Sequence, residues 1–167
     1  VRGDDEGEDE KQMHEVMRYF HFLFAFALMA GAGATHIVSL RLRCVRNTAA
    51  IVQLASLRSL VARAVLMPAA ALTIIFGIGL SHMLGHSLTR PWLLTALVAT
   101  LVMVLAGMMM AAPATRKIRQ RAQELADSGV KETDELKPLA GILAAYAWSD
   151  FLVTALIIYL MVVKPGG

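Results

Sequence analysis

A single cysteine, Cys44, excludes an internal disulfide and any cysteine-based metal site. Charge is scarce as well. Only 17% of residues are Asp, Glu, Lys or Arg, against roughly 25% in ordinary soluble domains. No segment matches a nucleotide-binding loop, a hydrolase serine elbow or a zinc-protease motif, so no catalytic residue is assigned and an enzymatic role is not expected. The basic balance, a net charge of +3, does not point to nucleic acid. The Lys and Arg residues flank apolar runs, which is the pattern of membrane orientation.

What is present is hydrophobic surface, at 57% of residues. A soluble chain of 167 residues, one domain by length, cannot bury that much, whereas lipid covers it without cost. A spanning helix needs about 20 mostly apolar residues. Four stretches qualify, at about 19–40, 64–80, 91–112 and 139–163. The second is short and is expected to start earlier, because 49–62 is apolar apart from Arg58 and a few small polar residues. Pro91 and Pro138 read as helix openers, Pro113 and Pro165 as terminators, and Pro68 as a kink in the second span. The fold class expected is an all-α bundle of four transmembrane helices (residues 18–167), after an acidic, disordered tail (residues 1–17). The first span is too long, and its flank too acidic, for a signal peptide, and is read as retained.

Eleven of the sixteen Lys and Arg residues fall in the first and third connections. The positive-inside rule puts those connections in the cytoplasm and both termini outside. The third connection is expected to be helical from Arg116 to Ala126, with Gly129 as its C-cap, either apart from the third span or as its continuation.

Seven of the thirteen acidic residues lie in the tail and five in the third connection. That leaves Asp150 mid-way along the fourth span, where a carboxylate costs several kcal/mol if ionised and lipid-exposed. It either hydrogen-bonds a neighbouring helix, with Thr73 and Thr100 as partners at similar depth, or handles protons, ions or a cofactor. His82 and His86 are four apart and share a helix face, a spacing able to bind a metal or brace a haem; a short, non-helical loop around Gly85 would undo it. His21 sits on the first turn of its span, where an interfacial role is the plain alternative. Met108, Met109 and Met110 are consecutive and cannot converge on one copper ion, so they read as packing. Ala27, Gly31 and Ala34 form a small-residue face, and Gly77 and Gly79 do the same on the second span; both suit close helix contact.

Several points match a family pattern: Arg18-Tyr19-Phe20-His21-Phe22-Leu23 opening the first helix, Arg63 through Pro68 to Gly77-Ile78-Gly79 in the second, Pro91-Trp92 opening the third, and Asp150-Phe151-Leu152-Val153-Thr154 with Tyr159 to Pro165 in the fourth. The chain resembles a bacterial family of four-helix integral membrane proteins without an assigned function, itself similar to the copper-resistance D and protoporphyrinogen-oxidase-like membrane proteins. That resemblance implies haem b or copper, with His21 matching the first-helix histidine of the oxidase-like proteins. The tryptophan that often follows there is absent, the stretch reading Ala25-Phe26-Ala27-Leu28-Met29. Two functions follow as expectations. One is a non-catalytic accessory subunit of a larger complex in the bacterial inner membrane, with lipid and other membrane subunits as partners. The other is a haem- or copper-handling protein using His21 with His82 or His86.

Overall fold

The computed structural model describes residues 2–85 and 87–163, with side chains from Lys11 onward. The described residues form four helices: α1 Arg2–Cys44, α2 Thr48–Met83, α3 Pro91–Asp127 and α4 Lys137–Val163. Each is long and apolar enough to cross a membrane, as the four hydrophobic runs predict. Among the described residues no strand forms; one isolated bridge joins Asn47 to Glu132.

Of three boundaries, two differ from the sequence expectation and one agrees with it. The backbone is helical from Arg2, where the acidic tail was expected to be disordered. The membrane-embedded part of α1 already supplies the costly helix nucleus, and acidic residues in the first turns complement the helix dipole. Helix α2 starts at Thr48, taking in the apolar 49–62 segment as expected, and is capped by Asn47, whose side chain accepts from the Ala50 N–H at 3.0 Å. The third is at Pro113, which does not end α3. A π-helical turn at Gly107–Ala111 precedes it, with the Ala112 N–H bonding the Gly107 carbonyl. The same device, Ala62–Leu66, precedes Pro68 in α2. The wider turn displaces the carbonyl ladder where the proline ring has no N–H to offer, so the helix passes through. Pro165 lies outside the described residues.

Helix α3 therefore runs to Asp127 and stops as expected. Gly129 has φ +81°, its N–H reaches the Ala126 carbonyl at 3.0 Å, and the Val130 N–H reaches Leu125 at 2.9 Å. These are the two bonds of a Schellman motif.

The bundle is not packed evenly along its length. At the end that carries the basic connections, Leu42 of α1, Ile51 and Ala55 of α2, Ile118 and Ala122 of α3, and Leu143 of α4 form one buried cluster. The flanking connections are tied together. Thr48 N–H bonds the Lys131 carbonyl at 3.0 Å and Thr133 N–H bonds Arg46 at 2.9 Å. Thr48 Oγ1 donates to the Val130 carbonyl at 2.8 Å. Asp134 Oδ1 receives both Arg46 Nε and Lys137 Nζ at 2.9 Å. Further along, α1 stays against α2 and α4, and α3 against α4, while α2 and α3 barely touch. That splay leaves a cavity of about 760 Å³ lined by all four helices.

An intramembrane cavity with a histidine at one end and an arginine at the other

His21 lines the cavity toward its far end. Its Nδ1 stands 3.1 Å from the Thr73 carbonyl of α2. A carbonyl only accepts, so the proton sits on Nδ1 and Nε2 keeps its lone pair. The ring is seated by a glycine. A Cβ on Gly77 would stand 3.0 Å from His21 Cε1 and 3.2 Å from Nδ1. Beside it, Phe76 stacks on Phe20 and Phe24, with ring centroids 5.3 and 5.6 Å apart, clamping α1 to α2.

The other histidines are placed elsewhere. His82 is exposed near the end of α2 and does not line the cavity. His86 lies outside the described residues. The ring of His36 meets Trp148 edge-on, with centroids 4.7 Å apart, and its buried Nδ1 has no hydrogen-bond partner among the described residues. Among the described residues no three His, Cys, Asp or Glu side chains gather to hold a metal ion.

Arg58 marks the basic end of the cavity, only 5% exposed. Its Nε donates to Ser39 Oγ at 3.0 Å and its Nη1 to Thr115 Oγ1 at 2.6 Å. Both hydroxyls pass their own protons to backbone carbonyls one turn back, Thr35 and Ala111, each at 2.7 Å. The guanidinium thus bridges α1, α2 and α3. Tyr146 of α4 donates to the Met103 carbonyl at 3.0 Å. It fits there because position 107 is glycine: a Cβ would come within 2.8 Å of the phenol oxygen.

Asp150 lines the same cavity as Arg58 and Tyr146 and interacts electrostatically with Arg58 and His36. It does not bond the threonines expected to receive it. Thr100 Oγ1 donates to the Ala96 carbonyl at 2.8 Å, and Thr73 Oγ1 is buried with no partner among the described residues. All three line the cavity, and the splay of the helices keeps them apart. Of the small-residue faces, a Cβ on Gly31 would stand 3.1 Å from Val65 and 3.2 Å from Leu66, and one on Gly79 would stand 3.2 Å from Met17. Ala27 and Ala34 are half-buried. Met108, Met109 and Met110 are all more than half exposed, and only Met108 of the three lines the cavity among the described residues.

The sequence reading missed Arg58, Ser39, Thr115 and Tyr146 as site residues. A signal existed for the first: Thr48, Ile51, Ala55 and Arg58 are the buried stripe of α2, at helical spacing, so Arg58 shares the face of the core. The hydroxyls that receive it come from segments 19 and 57 residues away and leave no local trace.

No curated protein and no solved structure matches the chain. A family model described as "Predicted integral membrane protein (DUF2269)" matches residues 15–165. With four spanning helices and nearly the whole length covered by that match, the chain belongs to this family of integral membrane proteins.

Proposed function

We propose that this protein holds an apolar prosthetic group inside the membrane, b-type haem foremost, with His21 as the ligand to its iron. The observation that carries the reading is the His21 ring, lining the cavity with its Nδ1 proton committed to the Thr73 carbonyl. Haem- and metal-ligating histidines are oriented by such a bond, which frees Nε2 for the metal. The apolar walls around it, among them Ala25, Phe26, Ile74 and Ile78, suit a porphyrin. The sequence resemblance to the oxidase-like proteins points to the same residue. Copper fits less well, since a metal ion wants several converging ligands and no three His, Cys, Asp or Glu side chains gather here among the described residues. When bound, haem supplies one-electron chemistry; the chain's own residues bind it, fix the histidine tautomer and exclude water. His82 and His86 are not needed in this reading.

We place the basic end in the cytoplasm and both termini outside, on the charge asymmetry of the connections, and the protein in the bacterial inner membrane. The test is an absorption spectrum with metal analysis on protein extracted gently from its own membrane, with co-purifying proteins identified. A Soret band lost in His21→Ala supports the reading. A colourless, metal-free protein travelling with a fixed set of larger membrane subunits would replace it with the accessory-subunit role.

A further inference from the structure

Arg58 has a charge with no ion-pair partner among the described residues, Asp150 acting on it only from beyond contact. It is 5% exposed, and among the described residues no carboxylate lies within 4.0 Å of it; the ion pairs that form lie elsewhere. Two of its five N–H donors are used, both on neutral hydroxyls. A buried cation is costly unless an anion partners it, and an arginine fork matches phosphate or carboxylate oxygens in shape. The same cavity is lined by Arg63 and Arg116, both exposed. Three guanidiniums against the single carboxylate of Asp150 leave an excess of positive charge. That excess suits a phosphate monoester of about −1.5 to −2 better than a single carboxylate. Away from this charged end the walls are mostly apolar. Ser39, which Arg58 touches, lies 18 residues beyond His21 on α1, about 27 Å along the helix axis. That length takes an extended hydrocarbon chain entering from the basic leaflet.

We propose that the basic end of the cavity binds an anionic lipid with a phosphate head, the head on Arg58, Arg63 and Arg116 and a chain lying along the cavity. The residues that take the head are separate from His21, so the site exists in protein free of any cofactor, although the chain lies in the same cavity as a group bound at His21.

The test is native mass spectrometry of the full chain, stripped of lipid in detergent and titrated with dioleoyl phosphatidate, dioleoyl phosphatidylcholine, oleate or inorganic phosphate. The expected result is one phosphatidate per chain, bound at least tenfold more tightly than phosphatidylcholine or oleate. Inorganic phosphate should not displace it. The double variant Arg63→Gln/Arg116→Gln changes only exposed side chains, so it should fold and lose at least tenfold in phosphatidate affinity. Arg58→Lys keeps the charge but not the fork and should also bind more weakly, while His21→Ala should bind as the parent does. Equal retention of phosphatidate and phosphatidylcholine would overturn the site, as would an unchanged double variant. Displacement by inorganic phosphate would overturn the lipid as its occupant, and oleate binding as tightly as phosphatidate would overturn the phosphate head.

Discussion

The two ends of this bundle are built from different materials. At the basic end, Ile51, Ala55, Ile118, Ala122 and Leu143 are at most 2% exposed, and the connections are laced by backbone bonds and ion pairs. Along the middle and far portion, the same helices diverge around a cavity whose walls are half-buried side chains. Water explains the contrast. The extensions of α2 and α3 beyond the bilayer feel the hydrophobic effect and pack like a soluble core. Within lipid that drive is absent, and contact depends on small residues and specific hydrogen bonds, here Gly31, Gly77, Gly107 and Tyr146. The fold can therefore leave room inside the membrane while its other end holds the four helices together.

The largest expected effect sharpens that contrast. Ile118→Ala, at a site with no exposure, should cost about 2–5 kcal/mol, measured by reversible unfolding in mixed detergent. Leu97→Ala, on the half-buried wall of the cavity, should cost less than about 1 kcal/mol, because its site is already partly unpacked. Equal costs would mean that the two regions do not differ.

Gly107→Ala drives a Cβ toward Tyr146 and should cost about 1–3 kcal/mol. Tyr146→Phe removes the oxygen in the way, so the glycine substitution should be about 1 kcal/mol milder in that background. Additive effects would show that the two helices do not meet there.

Thr48→Val leaves the Val130 carbonyl without its hydroxyl donor and should destabilise the chain by about 1 kcal/mol, read by the same unfolding assay.

The smallest effect is expected from acid. The hydrogen bond from Lys137, with Arg46 beside it, holds Asp134 below the usual carboxylate range. A depressed folded value contributes stability above the ordinary aspartate pKa and loses it as pH falls through the lowered one. Asp134→Asn should flatten the acid limb of the stability profile only slightly, since the group is solvent-exposed.

The four spans were legible because twenty apolar residues in a row have one stable state in lipid. The tail of α3 was legible too: alternating charge from Arg116 onward, closed by Gly129, marks a solvated helix. Pro113 misled because its effect depends on the turn before it, and a π-turn at Gly107–Ala111 carries no distinct local signature. Arg58 read as a loop charge because a lone arginine in an apolar stretch looks the same at a headgroup as inside a bundle; only Ser39 and Thr115 tell the two apart. Thr73 and Thr100 were matched to Asp150 by depth along the helix. Depth omits the sideways divergence that opens the cavity. His21 was identified from the family resemblance, and its environment, the Thr73 carbonyl and the Gly77 seat, emerged only with the fold.

The central claim is that this divergence is a built space, shaped to be filled beside His21. Ala25 lies one turn from His21 on the same helix face, half-buried and lining the cavity. The most direct measurement is the unfolding midpoint of Ala25→Trp in protein free of any cofactor. A built space predicts a midpoint held or raised, because the indole fills an existing void. A midpoint lowered by several degrees would mean that the helices close on one another there, and the account would fail.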